Sequence, residues 1–194
     1  MHRRSVLALL RAHAARPLEA HEAAMAADMI RFVEEHADCL RRSCVPGHLT
    51  GSAWIVCSQG ERTLLTHHRK LDKWLQLGGH ADGEGDLQAV ARREAIEESG
   101  LAQVRAVSPE VFDVDRHWIP ARGAEPGHYH FDVRFLFEAD PAAPLAASNE
   151  SKELAWVELA EVVRRNPEES MARMVRKTLR QNSALVIGRL GLRG

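Results

Sequence analysis

A mixed α/β fold built in layers is what this sequence predicts, and three observations predict it. Short runs rich in strand formers lie on both sides of one central helical run at 87–99. A strand-like segment at 128–138 alternates polar and apolar residues, and a helical run closes the chain at 168–189. The composition, 45% hydrophobic and 27% charged over 194 residues, is that of a soluble globular chain long enough to bury a core without staples.

The elements follow in order. Residues 1–45 read as a helical extension. Val6, Leu9, Leu10 and His13 fall at helical spacing, Arg16-Pro17 interrupts, and Met25, Met29, Ile30, Phe32 and Val33 continue. Pro46-Gly47 ends the section, so residues 46–194 form the main domain. The extension offers a face for covering a sheet edge or for homodimer formation. Strand formers at 52–57 and 63–66 flank a hairpin turn at Gln59-Gly60-Glu61. Trp74-Leu75-Gln76-Leu77 is strand-like, and a glycine-rich stretch from Gly78 to Gly85 leads into the helix at 87–99. Asp86 suits its N-cap and Gly100 its C-terminal stop. Strands are expected at 104–107, 111–119, 128–138 and 154–157, with a loop at 120–127, and helices at 159–165 and 168–189. Trp54, Trp118 and Trp156 read as core residues.

Charge and cysteine usage narrow the function. Lys and Arg number 26, Asp and Glu 27, for a net charge of −1. That balance lacks the footprint of a protein that grips a nucleic-acid polymer or an anionic membrane. Cys39, Cys44 and Cys57 form no CxxC, which argues for free thiols in a reducing cytoplasm. The apolar patch near the start is broken at Arg11 and His13, too soon for a signal peptide or a membrane span.

The chemistry concentrates in Arg93-Glu94-Ala95-Ile96-Glu97-Glu98-Ser99-Gly100-Leu101. On a helix, Glu94, Glu97 and Glu98 share an arc of about 100° and about 6 Å of axis. Leu87, Val90 and Ala91 extend the same face toward the N-terminus. A stripe that begins apolar and ends in three carboxylates is wasted on water and costly in a core. A cleft floor that holds divalent cations reconciles the halves, and clustered carboxylates suit Mg²⁺ or Mn²⁺.

From Gly79 to Leu101 the spacing resembles the signature of the Nudix hydrolases. Gly79, Arg93, Glu94, Glu97, Glu98 and Gly100 match its fixed positions, and Leu101 supplies the closing aliphatic. The resemblance implies a Nudix-type α/β/α sandwich with a mixed sheet and an N-terminal helical extension. It implies a pyrophosphohydrolase acting on a nucleoside diphosphate linked to another group, a small molecule. Glu94, Glu97 and Glu98 would be metal ligands, and Arg93 would orient a loop carboxylate. Gly78 and Gly79 would let the backbone pass close to metal and phosphates. Two positions depart from the signature. Gly85 stands where the first Glu belongs, flanked by Glu84 and Asp86, and Ala95 replaces a larger aliphatic. Glu84 is a candidate substitute for the missing Glu, and Glu150 and Glu153 are candidates for a further carboxylate in a late loop. Gly85 keeps alive a second reading, a Nudix-fold ligand-binding or regulatory protein with little turnover. The charge balance disfavours RNA 5′-end chemistry, and no isoprenoid-isomerase pattern is identifiable.

Histidines are the other peculiarity. Six of 11 lie at 67, 68, 80, 117, 128 and 130. His128, His130, Asp132 and Arg134 alternate along one strand, and His80 lies beside the glycine pair. They read as a polar cleft wall donating to substrate phosphate, as a transition-metal site, or as a solvated sheet face. In the first reading this face opens on the cleft, and binding strengthens as pH falls toward 6. Tyr129, Phe131, Val133 and Phe135 face the core. The basic run His67-His68-Arg69-Lys70, with Lys73, is either a steering element or a solvated hairpin end.

Overall fold

A computed structural model describes residues 2–123 and 126–189. The fold is a mixed sheet between two helical layers. Helices α1 (His2–Ala14) and α2 (Ala20–Glu35) form the extension. Residues 36–46 are turns rather than helix. They are fixed by bonds such as Leu49 N–H to the Cys39 carbonyl at 2.8 Å.

Eight strands follow: β1 (Gly47–Val56), β2 (Arg62–His68), β3 (Lys73–Leu75), β4 (Leu77–His80), β5 (Arg105–Ala106), β6 (Asp113–Ile119), β7 (His128–Glu138) and β8 (Ser151–Glu158). Helix α3 (Leu87–Ser99) falls between β4 and β5, and α4 (Leu159–Arg165) and α5 (Glu169–Arg189) close the chain. The residues 124 and 125 of the expected loop lie outside the described part.

Strands β1 and β7 form the sheet's spine. They run parallel in register from Gly47 opposite Tyr129 to Val56 opposite Glu138. The other edge of β1 is shared: Thr50–Ala53 pair with β4, while Ile55 and Val56 pair with β2. That sharing splits the sheet and lifts the glycine pair of β4 over the end of α3.

Alternation decides which layer each residue meets. Leu49, Ala53 and Ile55 of β1 and Phe131, Val133, Phe135 and Phe137 of β7 join Leu87, Ala91 and Ala95 of α3 in one core. Val6, Leu10, Met29, Phe32 and Val33 of the extension belong to that same core. Trp54, Val56 and Leu136 face the other way, onto Leu159, Val162, Met171 and Met174 of α4 and α5. Trp54 also donates its indole N–H to Thr178 Oγ1 at 2.9 Å. Trp118 departs from expectation. It is 53% exposed, because it sits on the outer face of β6 with Tyr129 edge-on and Gly127 beneath it.

The polar face of β7 is the larger surprise. Asp132 and Arg134 were expected to meet solvent or substrate, and both are buried. Their partners come from distant elements. Asp132 accepts from Thr50 Oγ1 (2.8 Å), Ser52 Oγ (2.6 Å), Gln76 Nε2 (3.0 Å) and Arg134 Nε (2.7 Å). Arg134 also donates to Asp113 at 3.2 Å and Asp115 at 3.3 Å. Asp113 is bracketed on its far side by Arg173 (2.7 and 2.8 Å) and Lys177 (3.1 Å) of α5. Burial alone would raise the Asp113 and Asp132 carboxyls. The surrounding cations and donors overcome it and hold both below the ordinary value. Lys177 continues to the buried Glu22 of α2, which also pairs with His13 of α1 at 2.9 Å.

Candidate active site

Helix α3 is defined at both ends by its own residues. Asp86 Oδ1 accepts from Ala89 N–H at 3.0 Å, and Gly100 closes the last turn at φ 70°, where a side chain would be strained. This fixes which face is turned toward β1 and β4. Leu87, Val90 and Ala91 are buried under the sheet, and the same face ends in carboxylates, as the stripe predicts.

Those carboxylates are not equivalent. Glu98 is buried and accepts from the Gly78 backbone N–H at 3.0 Å. Burial pushes its carboxyl up to about 7 against the pull of that bond, and the charges of Glu94, Glu150 and Glu97 add to the rise. Glu94 is half-buried and also raised, by burial first, with Arg93 opposing and Glu97 reinforcing. Glu97 is exposed at the rim. Carboxylates raised by burial and by one another fit a divalent cation, whose charge relieves both effects. Among the described residues the glutamates are not one of the groups whose ligand atoms all lie within 4.8 Å of one another.

Gly78 and Gly79 are required by close approach. A Cβ on Gly79 would land on the Glu94 carboxylate, its Cδ at 2.5 Å. A Cβ on Gly78 would meet the Ser52 Cα at 2.7 Å. The obstacles differ, so the outcomes should differ. Gly79→Ala pushes aside a flexible side chain and should lower kcat/KM about 10-fold or more with little change in Tm. Gly78→Ala presses on backbone and should destabilise by about 1–3 kcal/mol. Steady-state rates and thermal melts of the two variants check this contrast.

The loop carboxylates take different posts from those expected. Arg93 pairs with Glu94 at 2.6 Å. Glu84 Oε1 accepts from Asp86 N–H at 2.9 Å, so both residues flanking Gly85 bond at the start of α3. The acidic loop residue that senses Arg93 is Asp82. It is gripped by Arg42 at 2.7 and 2.6 Å and held below its ordinary value by that pairing first. Glu150 is exposed, yet its charge reaches Glu98 and His68. Glu153 is exposed on β8, opposite His67. The basic run is largely tied down: His67 pairs with Asp72 and stacks on Trp74, Arg69 donates to the Asn149 and Ser151 carbonyls, and Lys73 pairs with Glu168.

The histidines converge. The register sets His48 of β1 opposite His130 of β7, and His130 opposite His117 of β6. His128 follows two residues away on the same face, and His80 stands opposite Thr50. Ring centroids of His130 lie 4.9 Å from His48, 4.9 Å from His80, 5.4 Å from His117 and 5.1 Å from His128. His128 is buried and His130 and His80 half-buried. Burial drives His80 down to about 4 and His130 further, with neighbouring imidazoles adding to the effect. Burial thus opposes charging of His130, one of the two rings, with His128, on which the expected strengthening of binding toward pH 6 depends. His48 carries no motif of its own. Only its parallel register with β7 brings it into the group.

Comparison with known proteins supplies the context. The sequence matches the NUDIX domain family over residues 48–178. No curated protein matches it at the sequence level. Many solved structures share its fold, and three of them illustrate the likeness. An Ap4A hydrolase of C. elegans in a binary complex is 20% identical at TM-score 0.56, over 72% of this chain and 98% of that one. An E. coli dihydroneopterin triphosphate pyrophosphohydrolase is 14% identical at TM-score 0.54, over 66% and 92%. RenU, a Nudix hydrolase of M. smegmatis, is 20% identical at TM-score 0.52, over 72% and 87%.

Proposed function

The chain belongs to the NUDIX domain family, and from that premise we propose that it is a pyrophosphohydrolase that cleaves a diphosphate linkage in a nucleoside diphosphate joined to another group, using Mg²⁺ or Mn²⁺. One observation carries the reading: a buried Glu98 and a half-buried Glu94 pressed against the glycine backbone of β4. Carboxylates kept there against their own solvation are arranged for a cation.

In this reading Glu94, Glu97 and Glu98 hold the metal, and Arg93 steadies Glu94 through their ion pair. When bound, a divalent ion neutralises the diphosphate and lowers the pKa of bound water. Gly78, Gly79, His80, His128 and His130 make up the substrate side, and Glu150 is the supporting carboxylate from the late loop. Glu84 and Glu153 stand lower on this scheme, Glu84 because it bonds the start of α3 and Glu153 because it points to solvent on β8. Among the described residues no helix is long and apolar enough to cross a membrane. The three cysteines are free and buried, which suits the cytoplasm.

A screen of nucleoside diphosphate derivatives with Mg²⁺ and with Mn²⁺, read as phosphate ester release, tests the proposal. Turnover that chelation abolishes is expected. Binding without turnover on every compound would transfer the chain to the ligand-binding reading that Gly85 suggests.

A further inference from the structure

We propose that His48, His128 and His130 form a second metal site, of tri-imidazole type, for a borderline divalent transition ion such as Zn²⁺. One ring nitrogen from each of the three lies within 4.8 Å of the other two. The spacing of one pair is already that of co-ligands. His128 Nε2 and His130 Nε2 are 3.2 Å apart. Two nitrogens on one tetrahedral ion at about 2.0–2.1 Å stand about 3.3–3.4 Å apart.

The tautomer of His128 supports the same assignment. Its Nδ1 lies 2.9 Å from the Pro126 carbonyl, which can only accept, so Nδ1 carries the proton. The Nε2 lone pair therefore points into the cluster. A ring held by a backbone carbonyl through one nitrogen and presenting the other is the usual posture of a metal-bound histidine.

Strand register builds the site. His48 and His130 are directly opposed on adjacent parallel strands, and His128 follows on the same face of β7. Ligands on three positions of two hydrogen-bonded strands are held more firmly than ligands on loops. His80 and His117 flank the three, and the fourth position is left to water or a substrate atom. The donor set separates this centre from the glutamates of α3. Imidazole nitrogens favour zinc, copper or nickel, while carboxylates favour magnesium and manganese.

The test is Zn²⁺ binding by the full chain, stripped with chelator and then kept in excess Mg²⁺. Equilibrium dialysis is expected to show one tightly held Zn²⁺ per chain. Thermal melts are expected to rise by about 5–10 °C at about 100-fold excess over Kd. His128→Ala/His130→Ala should remove both effects. His130→Gln, which keeps a donor toward His128, should weaken binding at least about 10-fold and decides the matter if the double variant fails to fold. Cys44→Ser should bind as wild type, because it touches only the other close group of ligand atoms, His36, Asp38 and Cys44. The proposal is overturned if wild type holds no Zn²⁺, if Mg²⁺ displaces it, if Cys44→Ser loses it, or if His130→Gln binds unchanged.

Discussion

Glu98→Gln is expected to lower kcat/KM by about 100-fold or more and, at the same time, to make the metal-free protein more stable. The loss follows if Glu98 holds an ion, because the amide keeps the volume and removes the charge. The gain follows from burial. Glu98 has a carboxyl pushed up to about 7, so its ionised form is disfavoured in the fold relative to the open chain. That penalty is present above about pH 7 and vanishes below the ordinary carboxylate range, where both states are protonated. The glutamine still accepts from Gly78 N–H through its carbonyl oxygen. At pH 8 the gain should reach up to about 3 kcal/mol, and it should shrink as pH falls to about 5. Glu97→Gln should lose activity too, but with no gain in stability, since Glu97 is exposed. Kinetics with Mg²⁺ and melts at both pH values measure this. A Glu98→Gln enzyme with wild-type turnover would remove Glu98 from the ligand set.

The other large effect is purely structural. Arg134→Met should destabilise by about 3–5 kcal/mol, read as a drop in Tm of roughly 6–20 °C. Methionine fills the space but leaves Asp113, Asp115 and Asp132 short of the cation at their centre. Arg173 and Lys177 still reach Asp113, so that residue is partly compensated. Asp132 is not: its remaining partners are the hydroxyls of Thr50 and Ser52 and the Gln76 amide. The pH profile should move as well. In the intact protein Asp113 and Asp132 have carboxyls held below their ordinary value. Their contribution is therefore complete above about pH 4 and is lost as pH falls through the depressed values. Without Arg134 the Asp132 carboxyl rises, and acid unfolding should begin at higher pH. Urea titrations from pH 3 to pH 7 would show it, and a variant as stable as wild type would mean the cluster relaxes around the gap.

Local signals carried the sequence reading where they sufficed. Asp86 and Gly100 mark both ends of α3, and alternation at 128–138 marks β7. What failed was the environment of that strand's polar face. Alternation tells which residues share a face but not what covers it. Asp132 meets Thr50 and Ser52 from 82 and 80 residues away, and Asp113 meets Arg173 from 60. Asp132 and Arg134, which look wet in isolation, become part of a buried, satisfied group once those partners arrive. His48 escaped notice for the same reason, since parallel register is set by the whole sheet. Trp118 was misassigned because aromatic character says nothing about which side of an edge strand faces out. The three glutamates were legible as a set but not individually, because the depth of Glu98 depends on β4 lying across the helix end.

The chain of polar contacts from His13 through Glu22 and Lys177 to Asp113 has a bearing on how the protein is made. Synthesis is vectorial, and the ribosome delivers roughly 5–20 residues per second. Glu22 leaves first, Asp113 follows, and Arg173 and Lys177 come later. Until α5 emerges, both acids lack the cations that make their burial tolerable. The nascent chain therefore has no reason to close its sheet against α1 and α2 early. Closure of the sheet waits on α5, which acts as a latch, and arrested chains ending before Lys177 should remain open to protease while chains that include α5 resist it.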